Sequence, residues 1–325
     1  MKFIVGAYVT APSLGIEDKI KEREFYRELS DSIPEIKGLE IPFWGEDIHL
    51  FGYEFLLALM QPDWDNVLSC IPGTMSALAN MPTFGLASVD EVGRTAAIEM
   101  HKRANQMLHK INDYFGKKSI FSVQLATAPS IPVNGVSSSM DAFLSSMDEL
   151  LSWDWAGAKI VIEHCDAAIG EQPFVKGFLT IEEEIEVLQQ LSNQQNVGML
   201  INWGRSAIEG RSSTKPLDHL QLVSENNLLS GLIFSGVSAN DPLYGSWADN
   251  HMPFSKSYNV KHYEKNSLLS QEVITRTLEI LDFTKLDYLG IKLLAMPINT
   301  SRVERRVGVN KDAITILNTI ISELN

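Results

Sequence analysis

The feature that most restricts how this chain can fold is an alternation: eight short, β-branched runs, each followed by a longer stretch of helical period. Such alternation is what parallel strands joined by crossover helices look like in one dimension. Strands are expected at Phe3–Thr10, Ile36–Ile41, Val67–Ile71, Ile120–Leu125, Ala158–Glu163, Val197–Asn202, Gly231–Ser235 and Tyr288–Leu293. The matching helices are Ile16–Ser30, Asp47–Met60, Val89–Tyr114, Met140–Ser152, Ile181–Ser192, Leu217–Ser224, Ser270–Phe283 and Lys311–Leu324. Ser88, Thr180 and Asn310 read as N-caps of the third, fifth and eighth helices.

An open, doubly wound sheet uses the same units. Its dinucleotide fingerprint is missing, because GAYVTAPSLG after the first strand lacks the GxGxxG spacing, and no phosphate-cradling GxxxxGK[ST] occurs. Eight units favour closure, so the expected fold class is α/β, a single-domain (β/α)8 TIM barrel over residues 1–325. The 325 residues, 45% of them hydrophobic, are enough for that core. The longest irregular piece, residues 238–267 after strand 7, is too long for a passive connection and reads as a lid or binding loop.

Composition narrows the partners. Against 27 basic residues stand 41 acidic ones, and a net charge of -14 opposes attraction to nucleic acid or anionic lipid. No apolar run approaches the roughly 20 residues that span a bilayer. Two isolated cysteines, Cys70 and Cys165, make neither a disulfide framework nor a zinc pattern, which suits the cytoplasm.

In a barrel the last inward-facing residue of each strand looks into the mouth at the carboxyl end, where active sites sit. Polar residues closing apolar runs are therefore candidates: Glu40 in KGLEIP, Gln124, Glu163 in KIVIEHCD with His164 and Asp166 just beyond, Asn202 and Arg205 in MLINWGR, Ser235, and Lys292 in YLGIKLL. A buried charge is costly unless paired or put to use, so Glu163 and Lys292 are either a structural ion pair or catalytic groups. The phase of strand 2 leaves open whether Glu40 faces the mouth or a helix. His164, adjacent to Glu163, points the opposite way on a regular strand, toward a helix.

LEIP on strand 2, IEH on strand 5, and the pair Asn202 and Arg205 three apart after strand 6 resemble the xylose isomerase-like superfamily of TIM barrels. That group includes sugar and sugar-phosphate isomerases and epimerases and metal-dependent endonucleases for abasic DNA. The resemblance implies a divalent metal on a strand 5 glutamate, a strand 6 acid, and carboxylates or histidines from strands 7 and 8. Glu163 matches the first, but Asn202, Ser235 and Lys292 stand at the others, and Arg205 replaces a frequent histidine. Arg and protonated Lys have no lone pair for a metal, so no metal and no cofactor is expected.

In place of a dication, Arg205 and Lys292 would hold an anionic sugar or an enediolate. Glu163, with Glu40 or His164 as second group, would move a proton next to a carbonyl, the chemistry of isomerisation and epimerisation. Gln124, Asn202, Arg205 and Ser235, with Trp247, Asp249 and His251 from the long loop, are the expected substrate contacts, and Tyr244 belongs to the same loop. Arg302, Arg305 and Arg306 in SRVERRVGVN precede a helix, where a phosphate could rest or where they simply face solvent. The alternatives are a Schiff-base lyase or aldolase using Lys292, and a barrel that binds carbohydrate without catalysis. The expected partner is a small carbohydrate, sugar acid or sugar phosphate, with a homo-oligomer left open and nucleic acid and membrane excluded.

Overall fold

The computed structural model describes residues 2–130, 136–191, 196–258 and 260–324. Eight parallel strands close on themselves in chain order: β1 (Phe3–Val5), β2 (Ile36–Pro42), β3 (Asn66–Ser69), β4 (Ile120–Leu125), β5 (Lys159–His164), β6 (Val197–Asn202), β7 (Leu229–Phe234) and β8 (Tyr288–Ile291). The ring is sealed by β1 against β8, with Ile4 opposite Gly290. The chain is thus a single-domain α/β (β/α)8 barrel, as the alternation of its sequence predicts.

Around the ring lie α1 (Lys19–Ser32), α2 (Tyr53–Leu57), α3 (Ile71–Leu78), α4 (Glu91–Phe115), α5 (Met140–Leu151), α6 (Ile181–Gln190), α7 (Trp203–Gly210), α8 (Lys215–Glu225), α9 (Gln271–Glu279) and α10 (Val303–Leu324). The core has two layers. Ile4, Val67, Val161, Leu200, Ile233 and Tyr288, one from each of six strands, fill the barrel's interior. A much larger set, including Phe25, Leu68, Leu108, Ile162, Ile201 and Leu317, packs strands against helices.

Strand period places the functional layer. Moving two residues along from Val161, Leu200 and Ile233 reaches Glu163, Asn202 and Ser235, so these polar groups sit on top of the apolar plug.

The structure corrects several boundaries. β1 stops at Val5, because Gly6 leads into two 3-10 turns, Ala7–Val9 and Pro12–Leu14, and Thr10 Oγ1 donates to Leu293 O at 2.6 Å instead of joining a ladder. Most of Asp47–Met60 is loop, anchored by buried His49 against Glu22 at 3.0 Å, and only Tyr53–Leu57 is helical. Ile71, expected at the end of a strand, opens α3; the helix expected near Leu217–Ser224 is present as α8, preceded by a further helix, α7, not expected from the sequence. Ser192, the expected end of the fifth helix, lies outside the described residues; the helix ends at Gln190.

Among the expected caps, Thr180 forms a reciprocal capping box with Glu183. Ser88 is displaced by Asp90, whose carboxylate accepts from Gly93 N at 2.7 Å. Asn310 is no cap: α10 begins two turns earlier, and buried Asn310 donates to Arg306 O at 2.9 Å and Thr10 Oγ1 at 3.2 Å. Among the described residues no helix is long and apolar enough to cross a membrane.

Candidate functional site

Two buried ion pairs form the floor of the barrel mouth. Glu163 near the end of β5 faces Arg205 in the first turn of α7, with Nη1 2.7 Å from Oε1, and Asn202 Nδ2 donates to the same oxygen at 3.0 Å. Lys292, just past β8, donates from Nζ to Glu40 Oε1 at 2.6 Å. Glu40 therefore points inward. The pairing expected between Glu163 and Lys292 is replaced by this crossed arrangement, since each cation has a nearer carboxylate. Tyr8 stands over both, with its hydroxyl 3.3 Å from Glu40 Oε1 and its ring 5.1 Å from Lys292 Nζ.

Each glutamate keeps one oxygen free. Glu40 Oε2 and Glu163 Oε2 are buried without a hydrogen bond, as are Asn202 Oδ1 and Gln124 Oε1. Unpaired buried acceptors are expensive, so these four oxygens call for hydroxyl or N–H donors. Gln124 spends its amide N–H on Tyr288 OH at 3.1 Å, which fixes its oxygen as the free end.

The two carboxyls are pushed apart electrostatically. Burial raises Glu40, and Lys292 and Arg205 only partly offset it, so its carboxyl stays above the usual carboxylate range. Burial acts on Glu163 too, but Arg205, Lys292 and the Asn202 hydrogen bond together outweigh it and hold Glu163 below that range. Two acids with opposed shifts in one pocket suit one group to release a proton and the other to accept one. Lys292 is held firmly as an ammonium, since Glu40, Tyr8 and Glu163 overcome the burial penalty.

The wall above the floor comes from two long loops. Asp249 meets Lys176 Nζ, and its Oδ2 accepts from Arg205 Nε at 3.2 Å, so one guanidinium bridges floor and wall. Asp166 positions that lysine's backbone by accepting from Val175 N at 2.6 Å and Lys176 N at 2.9 Å. His251 hydrogen-bonds Ser235 Oγ through Nδ1 at 2.8 Å and holds a left-handed backbone at φ 48°, a conformation a histidine adopts only where its surroundings impose it. Burial first, then the cations Lys292, Arg205 and Lys176, push its imidazole down to about 3, against the opposing pull of Asp249. A cavity of ≈ 460 Å³ is lined by Tyr8, Trp44, Lys176, Arg205, Asp249 and His251 among others. Glu163, Glu40 and Lys292 lie beneath this lining, at most 1% exposed.

Gly204 lets α7 reach this place. A Cβ there would come within 2.4 Å of Ser235 O, so only glycine allows the helix to start against the end of β7 and direct Arg205 inward.

Other expected residues lie elsewhere. His164 points out through the barrel wall, with Nδ1 2.7 Å from Glu184 and Nε2 3.0 Å from Glu209. Burial would lower its pKa, but these carboxylates carry it up to about 10. Trp247 anchors its own loop under Arg211, whose guanidinium is 5.5 Å from the ring centre. Tyr244 is buried, donating to Leu294 O at 2.8 Å. Arg305 and Arg306 lie in the first turn of α10 instead of ahead of it. Arg306 is buried and donates to the carbonyls of Ser301, Thr10, Ala11 and Ile298, while Arg305 pairs with Glu264, so neither is free for a phosphate.

Tyr8, Trp44 and Lys176 were not legible as site residues. Tyr8 falls within an apparent strand and the other two within loops, and only closure of the ring brings them over the floor.

In the mouth, the residues that could meet a divalent ion are already engaged with fixed cations. Glu40, Glu163 and Asp249 each already hold a cation, and both Arg205 and Lys292 are donors only. Among the described residues, the one group of three histidine, cysteine or carboxylate donors within 4.8 Å of one another is His164, Glu209 and His219, on the other side of the strands.

In fold the chain is similar to solved xylose isomerase-like TIM barrels. The IolI protein crystallised with a bound zinc atom superposes with a TM-score of 0.58 at 12% identity, over 99% of each chain. A sugar phosphate isomerase/epimerase from Parabacteroides distasonis gives 0.57 at 12%, over 97% of each chain. A xylose isomerase domain protein from Alicyclobacillus acidocaldarius gives 0.54 at 11%, over 99% of each. The chain belongs to the family described as Domain of unknown function (DUF4862), whose model matches residues 4–309. It is 36% identical over 316 residues to the uncharacterized protein STM3670 of Salmonella typhimurium, covering 97% of this chain and 96% of that one.

Proposed function

We propose that the barrel mouth isomerises or epimerises a sugar or sugar acid by moving a proton on the carbon next to a carbonyl, with no divalent metal in the mouth. The observation that carries this reading is the convergence of two oppositely shifted glutamates, Glu163 and Glu40, with two fixed cations, Arg205 and Lys292, under one cavity. Glu163, ionised and with Oε2 free, is the base that takes the proton from carbon. Glu40 is the second proton-exchanging group, and the Lys292 ammonium bonded to it supplies the proton it returns. Arg205 and Lys292 hold the oxygen that becomes negative in the enediolate, the role a metal's charge plays elsewhere. The free oxygens of Gln124 and Asn202 accept from substrate hydroxyls, and His251, neutral and fixed by Ser235, contacts another. Two structural neighbours named for isomerase or epimerase chemistry support the class of reaction.

The Schiff-base alternative draws no support from the geometry, because Glu40 and Tyr8 keep Lys292 protonated and an amine must be neutral to attack a carbonyl. The test is proton exchange. Candidate ketoses, aldoses and sugar acids are incubated with the protein in D2O, and NMR follows loss of the C–H signal next to the carbonyl. Exchange with wild type that stops in Glu163→Gln and Lys292→Met is the expected result. Exchange that persists in Glu163→Gln would remove the base from this scheme.

A further inference from the structure

A second cluster lies on the outer wall of the barrel, where the end of β5 meets α6, α7 and α8. His164 Nε2 is 3.0 Å from Glu209 Oε2, and His219 Nε2 is 3.1 Å from Glu209 Oε1. All three side chains are buried. Buried His219 Nε2 makes no hydrogen bond, and Glu209 Oε1 at 3.1 Å is the contact it has in the cluster.

The remaining contacts match those that support a metal ligand set. The far nitrogen of each ring is held: His164 Nδ1 by Glu184 Oε2 at 2.7 Å, and His219 Nδ1 by Ser206 Oγ at 2.9 Å. Glu184 is itself oriented by Thr127 Oγ1 at 2.7 Å. Partners of this kind fix the orientation of metal-bound imidazoles and turn their Nε2 lone pairs toward the ion. Glu209 Oε2 also accepts from Ala167 N at 2.9 Å, and Lys215 Nζ stands 3.9 Å from Oε1 at the exposed edge. Two ligands ~2.0–2.1 Å from one ion at a tetrahedral angle are ~3.3–3.4 Å apart; here each imidazole Nε2 is 3.0–3.1 Å from a Glu209 oxygen and the three ligand atoms lie within 4.8 Å of one another, so the two rings draw together to share an ion.

We propose that His164, Glu209 and His219 form a binding site for a zinc-class ion. Two imidazole nitrogens and one carboxylate favour zinc over magnesium or calcium, which prefer oxygen. An imidazole binds a metal through a bare nitrogen, so the hydrogen that His164 Nε2 directs at Glu209 leaves to solvent as the ion enters. Its two positive charges balance Glu184 and Glu209. The ion ties β5, which carries Glu163, to α7 one turn after Arg205, and so braces the mouth without entering it. This site is independent of the reaction proposed for the mouth.

The chain is stripped with a chelator, then dialysed against zinc chloride, and bound metal is counted. Cobalt(II) chloride serves as a spectroscopic probe. One equivalent of zinc, a higher melting temperature with zinc, and the visible bands of four-coordinate cobalt are expected. Zinc is lost in Glu209→Gln and His219→Ala and kept in Glu163→Gln. Wild type that retains no zinc and gives no cobalt bands overturns the site and leaves the cluster a proton-held clamp. Zinc kept by both Glu209→Gln and His219→Ala overturns it equally. Zinc lost only in Glu163→Gln would instead locate the ion in the mouth and sink the metal-free part of the reaction proposed there. Should the cluster variants fail to fold, the wild-type zinc count and cobalt spectrum decide.

Discussion

Lys292 shows how much a single buried charge sets at the residue scale. It is 1% exposed and pairs with Glu40 at 2.6 Å, so Lys292→Met leaves a carboxylate in the barrel with no cation bonded to it and only the Tyr8 hydroxyl at 3.3 Å. Breaking a buried pair from one side costs about 3–5 kcal/mol, whereas replacing both partners by uncharged groups costs much less. Urea unfolding of Lys292→Met should show a loss of that size, and the double variant Glu40→Gln/Lys292→Met should recover a good part of it. Equal losses in the two proteins would mean the pair is not what stabilises the floor. His251 gives a pH signature. Its folded pKa of about 3 lies below the ordinary ~6.5, so between these values the unfolded chain binds the extra proton and stability falls as pH falls. The groups facing it are Asp249, Ser235, Lys292, Arg205 and Lys176. Melting temperature followed from pH 7 to pH 4 should drop more steeply in wild type than in His251→Gln.

At the scale of elements, α7 is the piece that turns a generic barrel into this one. It is eight residues long and inserted between β6 and α8, and it delivers Arg205 to the mouth and Glu209 to the outer cluster. Its position depends on Gly204 fitting against Ser235 O, where an added methyl would sit 2.4 Å from a backbone oxygen. Gly204→Ala should therefore cost roughly 1–3 kcal/mol, the usual penalty for overpacking, and should weaken proton exchange in the mouth because the Glu163–Arg205 pair is pulled apart. Unchanged melting and exchange in that variant would show that α7 has slack which the close approach does not suggest. α10 makes the same point from the other end: Arg306, in a run of basic residues, spends its guanidinium on four loop carbonyls and locks the chain after β1 to the chain after β8.

For the whole molecule, the dominant quantity is charge. A net of -14 spread over one barrel repels polyanions at long range, and the mouth's cations are already matched by Glu40, Glu163 and Asp249. Fluorescence anisotropy with a labelled DNA duplex containing an abasic site should show no binding at low salt, the condition most favourable to it. Salt-sensitive binding there would reopen the nucleic-acid reading.

The barrel itself was legible because its information is local and periodic. β-branched runs, helical stretches and the polar residue closing each run all sit within a few positions of one another, and the two-residue strand period then puts Glu163, Asn202 and Lys292 in one layer. Ends of elements were less legible: Val, Tyr and Thr after Gly6 have strand propensity, but 3-10 turns win because Thr10 and Ala11 bond to Leu293, just past β8, and to Arg306 of α10, nearly 300 positions away. Pairing was not legible at all. Whether Glu163 meets Lys292 or Arg205 and whether Glu40 turns inward depend on which side chains closure brings within about 3 Å, whereas His164's turn toward the helices followed from strand alternation. Local sequence decides what each segment can be, while electrostatic partners are chosen by distances that exist only once the ring has closed.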